Sequence, residues 1–231
     1  MSELTILSGG AAHGLVASLA VDFKTKTGFD IKGEFGAVGG MADKLRGGVA
    51  ADLIILTAAL LKTLADEKLI VPASIRDVGV VETALAVRSG DPMVTAQNAD
   101  TLRAAFLAAD AIFVPDIKAS TAGIHVAKVL TQLGIADEVA SRLKIYPNGA
   151  TAMGQLAASS ATRPIGCTQS TEIIATTGVK LSGALPKGCD LATKYTAGIT
   201  THARHAREAQ ALIDLLTSTA AKDARARAGF L

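Results

Sequence analysis

The chain has no tryptophan and few aromatics of any kind, with six Phe and two Tyr among 231 residues. That shortage argues against a surface that stacks sugars or nucleobases, which needs repeated aromatic planes. Cationic blocks are missing too. The formal net charge is only +2, and the one arginine cluster, Arg225 and Arg227, reads as the solvated face of a last helix, so no nucleic-acid partner is expected. No apolar run reaches membrane-spanning length. The sequence goes from Met1-Ser2-Glu3 directly into a strand, with no basic or signal-like stretch. As it stands it is expected to be cytoplasmic, or periplasmic if a signal has been removed, and in neither case inserted in a membrane. Cys167 and Cys189 are too few to dictate a compartment and are expected as buried free thiols.

Several chemistries are excluded in the same way. No Gly-Lys-Ser/Thr follows a glycine-rich turn, so a nucleotide phosphate loop is absent. No nucleophile elbow is present. His13, His125, His202 and His205 form no cluster at metal-ligand spacing, so neither metal nor cofactor is expected.

What is present is a hydrophobic share of 49% with 19% charged residues, enough to bury a substantial core in one large or two small domains. The apolar run Leu4-Thr5-Ile6-Leu7 reads as a strand. Ser8 then offers a helix cap, Gly9 and Gly10 a bend, and Leu15, Leu19 and Phe23 a helix at i, i+4, i+8. The same grammar repeats. Ile31, Gly33 and Phe35 alternate like a strand before Gly36-Ala37-Val38-Gly39-Gly40 and a short helix over 41–46. Asp52 to Leu56 is a buried strand followed by Thr57 and a helix through Leu60, Leu61 and Leu64. A β-α-β-α-β-α order predicts a parallel, doubly wound sheet. Asp77 to Val87 is unusually long for a strand and predicts a crossing between two lobes, with a hinge near 82–86.

The second half follows suit. Helix 101–108, strand 111–115 and the turn Ser120-Thr121-Ala122-Gly123 lead into a helix through Val126, Leu130 and Leu133. A short helix over 137–143, strand 144–146, a turn at Asn148-Gly149 and strand 165–168 come next. Residues 194–199 read as the return crossing and 205–228 as one terminal helix with Leu212, Leu215 and Leu216 inward. The expected architecture is α/β: two doubly wound lobes joined by a two-strand hinge, with lobe 1 at 1–83 and 197–231, lobe 2 at 84–196, and the ligand in the cleft between them.

Five turns share one character, a strand end followed by small or hydroxyl residues and then a helix: Ser8-Gly9-Gly10, Ala37-Val38-Gly39, Thr57-Ala58, Ser120-Thr121-Ala122 and Thr168-Gln169, with Asn148-Gly149 as a sixth of the kind. Ligands on doubly wound sheets bind at the carboxyl ends of strands. Helix starts there present free backbone N–H groups to an anion. None of these turns carries Lys or Arg. Neutral donors suit a desolvated anion, because a buried cation loses more solvation than a dipole. Ser8, Gly9, Gly10, Val38, Gly39, Thr57, Ser120, Thr121, Thr168 and Gln169 are the candidate ligand-binding residues.

On Ser8-Gly9-Gly10-Ala11-Ala12, Phe35-Gly36-Ala37-Val38-Gly39, Asp52 to Thr57 and the Ser120-to-Gly123 turn, the chain resembles the type II periplasmic binding proteins, in particular the molybdate-binding proteins of ABC importers. The resemblance implies a small anion held by serine hydroxyls and backbone N–H groups, closure about a hinge, a monomer, and an ABC permease as partner if the protein is exported. Where those proteins carry a tyrosine-containing turn in the second lobe, this chain has Gly166-Cys167-Thr168-Gln169-Ser170-Thr171-Glu172. At Leu7-Ser8-Gly9-Gly10, at Gln169 with Glu172, and at Tyr195-Thr196-Ala197-Gly198 it is similar to the aconitate isomerases of the same fold. That likeness implies a cytoplasmic enzyme moving a proton across an allylic system, with His13 or Glu172 as base. Binding protein and isomerase therefore stand as two expectations.

Overall fold

The computed structural model describes residues 2–231, which fold as two units. One comprises the residues up to Val81 together with Lys194–Leu231, and the other is Glu82–Thr193.

In the first unit, β1 (Glu3–Gly9) passes through a 3-10 turn, Gly10–Ala12, into α1 (His13–Thr27). Leu15, Leu19 and Phe23 are buried along one stripe of that helix, as their spacing predicts. Gly28 ends it in the left-handed conformation, φ 77°, and its N–H closes on the Lys24 carbonyl at 2.8 Å. Two more strand–helix steps follow: β2 (Asp30–Gly36) with α2 (Val38–Arg46), and β3 (Leu53–Thr57) with α3 (Ala58–Asp66). Leu53, Ile54, Ile55 and Leu56 are all fully buried, the continuous apolar run of a strand covered on both faces. β4 (Arg76–Arg88) begins in this unit and leaves it after Val81.

The second unit continues with α4 (Ala99–Ala108), β5 (Ala111–Pro115), α5 (Thr121–Gln132), α6 (Ala136–Val139), β6 (Leu143–Tyr146), α7 (Gly149–Ala157), β7 (Pro164–Gln169), α8 (Ser170–Ile174) and β8 (Val179–Ala184). β9 (Ala192–Ile199) carries the chain back to the first unit, where α9 (Ala206–Thr217) and α10 (Lys222–Arg227) lie.

Strand order in the first unit is β2-β1-β3-β9, with β1 parallel to both neighbours and β9 antiparallel to β3. In the second unit β5 lies between β6 and β7, parallel to both, while β4 runs antiparallel to β7 and β8 antiparallel to β4. Each face of this second sheet has its own core. Ile112, Val126, Val129, Leu130 and Cys167 pack on the α5 side. Phe113, Met153, Leu156 and Ile173 pack on the α7 side. Both cysteines are free and buried.

Three local expectations are corrected. The stretch 205–228 is two helices, because the chain turns extended at Ser218 (φ −62°, ψ 153°), where the Ser218 hydroxyl oxygen caps the Ala221 N–H at 3.1 Å. The Arg225 guanidinium then donates to the Leu216 and Ser218 carbonyls at 2.7 and 2.8 Å, satisfying the end of α9. The short helix expected over 137–143 is one α turn and a 3-10 turn, Ala140–Arg142. Helix α4 starts before residue 101, because Asn98 and Thr101 form a reciprocal capping box.

Candidate functional site: the strand ends of each unit

In the first unit, register decides which turns meet. Gly9 pairs with Gly36, and Ser8 pairs with both Phe35 and Ile55. The three strands therefore run out at one level, about 5 Å apart, and the 3-10 turn before α1, the start of α2 and the start of α3 stand side by side. Each presents N–H groups that have no partner within their own helix. Neither Gly9 nor Ala37 supplies a side-chain cap. Val38 is buried, while Gly10 and Gly39 are half-buried. Thr57 caps α3, its hydroxyl oxygen accepting the Leu60 N–H at 3.4 Å, and keeps its own hydrogen to donate.

Ser8 sits differently from its reading as a cap. The strand runs on to Gly9, and it is Gly9 that leads into the 3-10 turn (φ −58°, ψ 142°). Ser8 is 0% exposed, and its hydroxyl donates to the Gly9 carbonyl at 2.9 Å. Gly9 is confined: a Cβ there would lie 2.8 Å from Val38 Cγ1 and 3.0 Å from Tyr195 Cε1. His13, the first residue of α1, is exposed at the same rim, its ring 4.6 Å from that of Phe35.

In the second unit the parallel ends are those of β5, β6 and β7. Ser120 precedes α5 in extended conformation and makes no side-chain cap. Ser120 is buried and Thr121 half-buried. Gly123 has no room for a side chain, since a Cβ would meet the Asp116 carbonyl oxygen at 2.1 Å. The Asp116 carboxylate accepts the Lys118 and Ala119 N–H groups at 2.7 and 2.9 Å, which fixes the loop and holds that carboxyl below its ordinary range.

The start of α7 is occupied from within. The Glu172 carboxylate, 6% exposed, takes the Thr168 hydroxyl at 2.6 Å together with backbone N–H groups of Gln169, Gly149 and Ala150. A Cβ at Gly149 would stand 1.9 Å from Glu172 Oε2 and 2.2 Å from Thr168 Oγ1. The sixth turn thus holds one of the protein's own carboxyl groups, and its N–H groups are taken. Burial pushes the Glu172 carboxyl up in spite of these donors. Thr168 is fully buried and spends its hydroxyl on Glu172, whereas the Gln169 amide, 3% exposed, has neither Oε1 nor Nε2 partnered. Sequence reasoning missed Thr83, the strand partner of Gln169, whose buried hydroxyl is also unpartnered. A threonine inside a long apolar strand was its only signal. Among the described residues no group of His, Cys, Asp or Glu is placed to hold a metal ion.

The sequence model of bacterial extracellular solute-binding proteins matches residues 4–231. The chain belongs to that family. Among solved members of the fold, this solute-binding protein is similar to the periplasmic molybdate-binding protein of Azotobacter vinelandii, with TM-score 0.81, 17% identity, and 99% and 98% of the two chains covered. It is also similar to the sulfate-binding protein of Mycobacterium tuberculosis, with TM-score 0.76, 16% identity, and 100% and 86% covered. Among curated proteins it is 24% identical over 226 residues to an aconitate isomerase of a Pseudomonas species, covering 94% of this chain and 83% of that one. The type II periplasmic-binding-protein fold expected from the sequence is the fold found.

Proposed function

We propose that this solute-binding protein takes a small anion through helix-start N–H groups and neutral side chains. The observation that carries the reading is the register of β1, β2 and β3, which sets three helix starts at one level of the first unit without a lysine or arginine in any of the turns. Converging N–H dipoles stabilise negative charge, and uncharged donors lose little solvation when the ligand covers them. The Gly9, Gly10, Val38, Gly39 and Thr57 positions of the first unit and Ser120, Thr121 and Gln169 of the second are assigned to the ligand. Glu172 and Thr168 shape the second set. Ser8 acts through its bond to the Gly9 carbonyl.

On this reading the working compartment is the periplasm and the partner an ABC permease. Membership of a family of extracellular solute-binding proteins supports the periplasmic one of the two expected compartments. The test is calorimetric titration of the full chain with molybdate, tungstate, sulfate, citrate and the two aconitates. Micromolar or tighter binding of at least one, without turnover, is the expected result. Absence of binding by all six, and by malate and hydrogen phosphate as further small anions, overturns the proposal.

One observation favours a second reading. The Pseudomonas aconitate isomerase matches along nearly the whole chain, and Glu172 is a buried carboxyl with a raised pKa, a property of general bases. An isomerase would remove a proton from one carbon of aconitate and return one at the other end of the allylic system. Incubation of either aconitate isomer in deuterated water, followed by proton NMR, separates the readings: the isomerase exchanges label and interconverts the isomers, and the binder does neither.

A further inference from the structure

The second unit has two helices long enough to offer an N-terminal anion site at its strand ends, and they differ. The start of α7 is already filled by the Glu172 carboxyl group. α5, of 12 residues, has no side-chain cap. The alternation of β7 separates them. Gly166 and Thr168 face α7, where Met153 fills the space beside Gly166 and Glu172 takes the Thr168 hydroxyl. Cys167 faces the α5 core with Leu85, its partner on β4. Gln169 and Thr83 are the next pair along on that same α5 face, two residues nearer the carboxyl end, and opposed residues of antiparallel strands share a face.

Both are more than nine-tenths buried, at 3% and 1% exposure, and neither finds a hydrogen-bond partner. The amide matters most. A carboxamide has two donors at nitrogen and two acceptor sites at oxygen, and one neighbouring hydroxyl cannot serve both ends at once. A fully ionised oxyanion could pair with Nε2 and the Thr83 hydroxyl but would leave Oε1 empty, or face it with its own negative oxygens. Buried polar groups left unpaired by a ligand make a site reject it strongly.

We infer that the second unit selects an anion carrying its own O–H donor, and that Gln169, with Thr83, is the residue pair that reads the O–H at the α5 end. This rests on the anion-binding reading above and narrows it. Two ligand sources share the chemistry, a hydroxycarboxylate and a protonated oxyanion such as hydrogen phosphate.

The experiment is titration calorimetry of the full chain with ligands paired by the presence of the O–H: malate against succinate, citrate against tricarballylate, hydrogen phosphate against sulfate. The O–H member of at least one pair is expected to bind tenfold tighter or more, and which pair shows the preference identifies the source. Gln169→Met, which keeps length and loses both hydrogen-bonding ends, should bring that ratio within about twofold. Without ligand it should melt no lower than the parent, because it removes an unpaired buried amide. Thr83→Val should reduce the same ratio and serves if the first variant fails to fold. Anions that bind with no preference for the O–H, or a preference that survives both substitutions, overturn this inference and leave the anion-binding reading intact. No binding of any anion overturns both.

Discussion

Glu172 shows how one side chain sets the character of its surroundings. Its carboxylate occupies the start of α7, so Gly149 must lack a side chain. Gly149→Ala should cost about 2–4 kcal/mol in denaturant unfolding, since the methyl has to displace a buried, hydrogen-bonded carboxylate. The pH dependence follows from the same residue. Burial raises the folded pKa above the ordinary 4.5, so the folded state holds the proton longer than the unfolded one. This contribution to stability is undiminished below the unfolded pKa and declines as pH rises through the window above 4.5 up to the folded value. Unfolding curves across that window should show the decline in the parent and not in Glu172→Gln. In the first unit, Gly9→Ala should weaken anion binding more than Ser8→Ala in titration, because the added methyl meets Val38 and Tyr195, whereas Ser8→Ala loses one short internal bond. The turns themselves were legible in the sequence, because small residues after apolar runs leave few other readings. Which hydroxyl points outward was not, since Ser8 and Thr168 turn inward through strand parity and the level at which each strand ends.

Among the elements, the far end of the first unit depends on Asp52. Its carboxylate accepts the Thr5 N–H and hydroxyl at 2.9 and 2.8 Å and the Arg204 and His205 N–H groups at 2.8 and 2.9 Å, tying β1 and β3 to the segment that opens α9. Burial alone would raise this carboxyl, but the four donors outweigh it and hold the pKa below its ordinary value. The sign is opposite to that of Glu172. Asp52 contributes stability above the unfolded value near 3.8, lost as pH falls through that value to the folded one. Asp52→Asn should cost about 3 kcal/mol at neutral pH, because in either orientation the amide nitrogen would face a backbone N–H, that of Thr5 or those of Arg204 and His205, and acid titration of the variant should lose the corresponding slope. Strand and helix identities were readable from period and capping, as the three steps β1-α1, β2-α2 and β3-α3 show. The break between α9 and α10 was not, since neither glycine nor proline marks it and the turn is stabilised by Arg225 reaching back to carbonyls before it.

At the scale of the whole molecule, Glu82–Thr193 is one contiguous stretch with a core on each face of its sheet, whereas the other unit is built from two stretches far apart in sequence. Expressed alone, 82–193 should give a single cooperative thermal transition by circular dichroism, and a fragment of residues 1–81 should not. The long strand over 77–87 was the sequence signal for a chain that changes units. The place where each crossing strand leaves its unit depends on packing around β4 and β9, and no residue type announces it.

β9 pairs with β3 along Leu53–Thr57. Phe230 is buried over Gly79, and Leu231 exchanges backbone hydrogen bonds with Val80. On the ribosome, the first unit is therefore expected to be completed last. β1, β2 and β3 emerge early with the β9 edge of β3 unpaired, and the second unit is complete before the Lys194–Leu231 arm exists to close them. The order of folding expected from this connectivity is the inverse of the order of synthesis, and the β3 edge exposed during that interval is where a chaperone, or a second nascent chain, would take hold.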